Sequence, residues 1–196
     1  MLTEHNALHS LRPFWASYQS MLKAVQAGGR FYASPQESYA AKQFEKLYEL
    51  EHDLSNLKRA TGFIRDLAPD SAEGYDICRY HDEHFSMRFA GIVDKAHRLV
   101  GASLLLKADK CEGSGGNAFV IRAAKDHYPE VAAHLERLTA LEGNHKKLRK
   151  AAVASKASMQ VADIALEAAY LDELNSKIAA ALAALLLTLK PVYELI

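Results

Sequence analysis

The stretch YDICRYHDEHFSMRFAGIVDKAHRLV, Tyr75 to Val100, decides how the rest of this chain is read. Successive helical residues turn by about 100°. On that wheel Phe85, Phe89, Ile92, Val93, Ala96, Leu99 and Val100, with Leu104 just beyond, share one side. Arg79, Glu83, Asp94, His97 and Arg98 fall opposite, and His81, His84, Arg88 and Lys95 run along the edge between them. A stripe of this kind marks a long amphipathic helix facing a core. Asp82 breaks the pattern, because it projects among apolar residues. A carboxylate there is costly unless it is paired or protonated, so an Arg, His or Tyr from a neighbouring helix is its expected partner.

Helical punctuation continues outward in both directions, and alternating strand patterns are almost absent. A first helix starts near Ser10 or Leu11, carries Pro13 in its first turn and stops at Gly28-Gly29. Ser34-Pro35 with Glu37 opens a second, which runs to about Leu67 with Leu47, Leu50, Leu54, Leu57 and Ile64 on one stripe. The quoted helix extends from Ser71 to Leu106. Lys107 to Asn117, KADKCEGSGGN, reads as a flexible loop, with Asn117 capping the short helix AFVIRAAKDH. Pro129 starts another helix, ending near Leu141 because Gly143-Asn144 breaks it; HKKLRKAAVASK follows as a separate piece. The last helix spans Met159 to Lys190. The expectation is one all-α domain over residues 1–196, a bundle of four to five long helices with some short ones.

Lys plus Arg and Asp plus Glu number 24 each, so no global field favours nucleic acid or acidic membranes. Any such binding must come from a local patch. Cys78 and Cys111 supply neither a disulfide framework nor a zinc ligand set, which fits a reduced, cytoplasmic setting. The N-terminal residues lack the pattern of an export signal. The longest apolar run, Ile178–Leu189, is shorter than the roughly 20 residues of a membrane span. Bracketed by Lys177 and Lys190, it reads as a helix buried in the bundle, and no membrane partner is expected.

Two metal chemistries could draw on the His and acidic residues of this chain. An HD-type phosphohydrolase needs a His, an adjacent His-Asp pair and a distant Asp, and His52-Asp53 and His81-Asp82 supply adjacent pairs. The second sits between Arg-Tyr and Glu-His, where a deep site brings apolar neighbours, and His52 lies opposite the Leu stripe. A ferritin-like di-iron site needs two inward Glu-x-x-His motifs. Glu49…His52 points away from its own apolar stripe, and Glu142…His145 is interrupted by Gly143-Asn144. There is no phosphate loop, since Gly113–Gly116 follows no strand, and no Cys–His or Ser–His nucleophile set at a supporting spacing. No metal or cofactor is expected.

Tyr75–Val100, with its spaced aromatics and basic residues, and FVIRAAKDHYPEVAAHLERLTALEGNHKKLRKAAVAS, Phe119 to Ser155, resemble the HEPN superfamily of helical nucleotide-binding domains. The resemblance implies a helical bundle, usually a homodimer. Many relatives are metal-independent ribonucleases of toxin–antitoxin, CRISPR or phage-defence systems, and others are inactive RNA- or nucleotide-binding forms. Active members carry Arg, four to six residues, then His, often with Asn straight after the Arg. Arg stabilises the phosphate charge while His moves protons. Arg149 matches the Arg, Lys150 stands in the Asn position, and Ala154-Ser155-Lys156 holds no His. The resemblance therefore implies a degenerate, non-catalytic domain. Its phosphate contacts would come from His145, Lys147, Arg149 and Lys150, joined by the edge residues His81 and Arg88. Arg79…His84 and Arg122…His127 match the spacing elsewhere. Arg79 and His84 lie about 140° apart on a helix, so an active ribonuclease would need them to meet across a dimer. An HD-type phosphohydrolase and a purely structural or protein-interaction bundle stay open as alternatives, as does the question of catalysis itself.

Overall fold

The computed structural model describes residues 1–67, 72–154 and 161–196. Among them all regular structure is helical: a short 3-10 helix at Asn6–Leu11, then α1 (Arg12–Gln26), α2 (Pro35–Arg65), α3 (Ala72–Ser103), α4 (Ala108–Glu112), α5 (Gly116–Lys125), α6 (Pro129–Ala154) and α7 (Val161–Tyr193).

Local chemistry sets the first boundaries. At the start of α2 the Ser34 hydroxyl accepts from the Glu37 N–H at 3.2 Å, and the Glu37 carboxylate accepts from the Ser34 N–H at 2.7 Å. This reciprocal capping box, followed by Pro35, satisfies donors that a bare helix end would leave free. The α1 end is a Schellman turn: Gly28 N–H donates to Val25 O and Gly29 N–H to Ala24 O, each at 2.9 Å. Gly28 holds φ +89°, and a Cβ on Gly29 would lie 2.9 Å from the Ala24 carbonyl oxygen. Both glycines are therefore required.

Helix α3 is central. It packs most extensively on α2 and also touches α4, α5, α6 and α7. Phe85, Phe89, Ile92 and Leu99 from α3 meet Leu47, Leu50, Leu57 and Ile64 from α2 in one core, joined by Leu135 and Leu138 from α6 and Leu171, Ile178 and Leu182 from α7. The chain ends are tied into it: the Ser10 hydroxyl donates to the Tyr193 carbonyl at 2.9 Å, and the Tyr193 hydroxyl lies 3.1 Å from Ser103 Oγ of α3. By length and composition Ile164–Tyr193 is apolar enough to cross a membrane. Here Ile178, Leu182, Leu185, Leu186 and Leu189 are spent on the core.

Three expectations are corrected. The Lys107–Asn117 segment contains α4, and α5 begins from Gly115, whose φ is +79°; Asn117 lies inside α5 and donates to Asp94 at 2.7 Å. Helix α6 runs unbroken through Gly143-Asn144. A glycine inside a helix costs about 1 kcal/mol, whereas burying a leucine such as Leu135 or Leu138 contributes about 1.5–3 kcal/mol, and beyond the glycine His145 packs against Phe85 and Phe89, so packing overrides the local preference. His97 is fully buried, with its Nδ1 2.7 Å from the Val93 carbonyl oxygen. On the same stripe, Asp94 bonds Asn117, and Gly101 faces Cys111 and Val120, so α4 and α5 cover a face that amphipathicity assigns to solvent. The expected start of the last helix at Met159 lies outside the described residues, as do Ser155 and Lys156.

Two substitutions test these boundaries by urea unfolding. Ser34→Ala lowers stability by about 1 kcal/mol. A Cβ at Gly143 meets nothing within 4 Å, so Gly143→Ala raises stability by about 0.5–1 kcal/mol. A loss at Gly143 would mean that the helix does not continue there.

Candidate functional site

Asn56, Arg59, Ala60 and Phe63 recur at helical spacing on one face of α2. Tyr80, His81, His84 and Arg88 do the same on α3. Together they line a cleft of about 250 Å3 between the two helices. The Phe63 ring stacks on His81, with centroids 4.9 Å apart and planes 24° apart, and Tyr80 meets His81 edge-on at 5.3 Å. Phe63 stays 50% exposed and Tyr80 65% exposed, so both rings keep an open surface. Partial burial, and then the neighbouring His84, push the His81 pKa below its usual value.

Beside the cleft lies Asp53, a buried carboxylate of α2. Arg88 Nη1 donates to one of its oxygens at 2.8 Å and Lys95 Nζ to the other at 2.6 Å. Two cations against one carboxylate leave a local excess of positive charge. Arg88 Nε also donates to His84 Nε2 at a long 3.4 Å, which makes that histidine nitrogen an acceptor. Arg59 is exposed and, among the described residues, has no acidic partner. No Asp or Glu lines the cleft.

A second polar cluster joins α3, α6 and α7. Asp82 does find its partner there. Arg149 Nε lies 3.1 Å from Asp82 Oδ1, near enough for an ion pair but not aligned for a hydrogen bond. The same guanidinium donates to both oxygens of Glu167 and sits 5.4 Å from the centre of the Tyr170 ring. Burial pushes the Asp82 pKa up to about 6; the Arg149 charge opposes this, and Glu167 and Glu83 add to it. Burial works to lower the Arg149 pKa, but its bonds to Glu167 and the two carboxylate charges leave it raised. His145 is buried between Phe85 and Phe89, with Nε2 2.8 Å from Ser86 Oγ and Nδ1 3.1 Å from Tyr170 OH. Burial and then the Arg149 charge push it down to about 4, so it is neutral at pH 7. Burial holds the Cys78 thiol at about 11.

This geometry splits the basic cluster expected at His145–Lys150. Because α6 is continuous, His145 and Arg149 turn inward, Lys147 and Lys150 stay exposed, and Lys146 pairs with Glu142. Arg79 reaches Asp76 at 3.7 Å with both side chains exposed, while His84 lines the cleft. The two are not brought together within one chain. His81 and Asp82 part in the same way, His81 into the cleft and Asp82 toward Arg149. His52 and Glu49 are exposed, and Asp53 is held by its two cations. Gly143-Asn144 does not interrupt Glu142…His145, yet Glu142 meets Lys146 and His145 meets Ser86 and Tyr170. Among the described residues no group of three or more His, Cys, Asp or Glu is arranged to hold a metal ion.

Sequence reasoning missed Asn56, Arg59 and Phe63, although their 3-and-4 spacing along α2 was available as a signal. It also missed the Ser86–His145 pair, which 59 residues separate and only the fold unites. No family model matches the chain, and neither a curated protein nor a solved structure matches it.

The inner cluster has a measurable pH signature. Folded Asp82 holds its proton up to about pH 6, above its usual value, so its contribution to stability falls as pH rises from about 4 to 6. Folded His145 refuses a proton until about pH 4, so its contribution rises with pH from about 4 to 6.5. The two largely offset one another in the intact protein. Urea midpoints measured across this range fall with pH in His145→Gln and rise with pH in Asp82→Asn. Equal slopes in the two variants would contradict the assignment.

Proposed function

We propose that the chain is a HEPN-like helical domain that binds RNA or nucleotide phosphate without cutting it, in the cleft between α2 and α3. The observation that carries this reading is the meeting of two exposed rings, Phe63 and Tyr80, with Arg59 and Arg88 in a cleft that no carboxylate lines. Cations meet phosphate oxygens, and unstacked bases lie on aromatic faces. His81 and His84 add ring nitrogens that can hydrogen-bond a phosphate or a base edge.

Arg149, the residue matched by resemblance to the ribonuclease arginine, is committed to Glu167 and Asp82. An arginine so neutralised offers little to a phosphate, which supports a binding role over a cutting one. The homodimer that the resemblance implies and the cytoplasmic setting that the two cysteines suggest belong to the same reading.

Anisotropy titrations with a short single-stranded RNA at several salt concentrations test it. Arg59→Ala weakens binding and lowers the salt slope by about 0.7, the change for one lost phosphate contact. Phe63→Ala costs about 1–3 kcal/mol, as for a lost stacking partner. The pair Lys147→Ala and Lys150→Ala leaves affinity unchanged. If only the α6 pair weakens binding, the site belongs on α6; if the wild type does not bind, the reading fails. Cleavage in EDTA that is lost in Arg79→Ala and His84→Ala would replace it with a ribonuclease.

A further inference from the structure

Residues 5–36 contain no Asp or Glu, yet include Arg12, Lys23 and Arg30. This is the longest acid-free run in a chain whose charges otherwise balance. It folds as the 3-10 turn, α1 and the connection to α2. Helix α1 lies antiparallel to the first turns of α2: Trp15 stacks on Phe44 at 5.1 Å and 9°, and the Ser17 hydroxyl donates to Glu37 at 2.6 Å. Helix α2 begins only at Pro35, so the last two turns of α1 run past its end. The connection folds back beside them, with Phe31 meeting Tyr18 edge-on at 5.2 Å. The Schellman turn at Gly28-Gly29 makes this overhang a defined tip.

No residue of α1 is buried. On the tip Leu22 is 41%, Val25 38%, Phe31 37% and Tyr32 77% exposed. Lys23 and Arg30 stand among them, exposed and, among the described residues, without an acidic partner. Apolar side chains at a projecting end, flanked by two cations and free of acids, match what an interfacial contact with lipid requires.

We propose that this tip docks on an anionic lipid surface. Leu22, Val25 and Phe31 enter the boundary between headgroups and acyl chains. Tyr32 stays at the interface, where its polar end remains wet. Lys23 and Arg30 meet the lipid phosphates. The contact lies on the surface and spans nothing. Aliphatic Leu22 and Val25 have no role against stacked bases, which separates this surface from the α2–α3 cleft. A second copy docked tip to tip would set Lys23 and Arg30 against their own kind with no acid between them.

Flotation of the full chain with vesicles decides the matter. The protein floats with vesicles of phosphatidylcholine plus phosphatidylserine, stays behind with phosphatidylcholine alone, and is released by salt. Lys23→Ala and Arg30→Ala each weaken partition about fivefold, the change for one basic residue near such a surface. Leu22→Asp with Val25→Asp, both at exposed positions, removes partition while the melting curve and RNA affinity stay as in the wild type. The proposal is overturned if the wild type does not float with anionic vesicles, or if these variants float as the wild type does. It is equally overturned if the tip variants change the oligomeric state or the RNA affinity in place of vesicle binding, which would assign the tip to protein or nucleic acid.

Discussion

The carboxylate of Asp53 is the constraint on which the rest of the structure depends. Taking it out of water costs several kcal/mol unless charges of the other sign surround it. Arg88 and Lys95 supply two, both from α3. The bond therefore sets how α2 and α3, the most extensively packed pair in the fold, lie against one another. With that register Phe63 falls over His81, and Asn56 and Arg59 face His84 and Arg88. One buried acid between two cations also leaves positive charge at the mouth of the cleft, where Arg88 is only partly covered.

Helix α3 carries a second ion cluster with the opposite balance. Asp82 and Glu167 share one guanidinium, Arg149, so the surplus there is negative and turned inward. The two clusters divide the work. Around Arg149 the charged groups of α3, α6 and α7 meet one another, and the result is helix packing. Around Arg88 the answer is incomplete, and the result is a surface able to receive an anion. The Arg79–Arg88 segment feeds both clusters, since successive helical residues face different neighbours.

Much of the fold was legible in the sequence because its boundaries rest on local chemistry. The Ser34-Pro35-Glu37 cap, the Gly28-Gly29 stop and the apolar stripe of α3 act through nearest neighbours, and the helices appear where they point. Gly143-Asn144 failed as a signal because packing of α6 against α3 and α7 outweighs a local cost of about 1 kcal/mol. His97 failed because amphipathicity registers one covered face, and α3 is covered on several sides. The site was half legible. His81, His84 and Arg88 stood out as an edge, and Asp82 as a group in need of a partner. Arg149 became that partner only through the fold, and the α2 half of the cleft was invisible without knowing which face of α2 meets α3. Long-range pairings such as Ser86 with His145 leave no trace in spacing.

We propose that the α2–α3 cleft holds phosphate and base. An amide-resolved NMR titration of the isotopically labelled chain with a short single-stranded RNA tests it most directly. Binding in the cleft clusters the largest shift changes in residues 56–63 and 80–88, and these saturate together. Changes centred on residues 146–150, or none above those seen with salt alone, would contradict it.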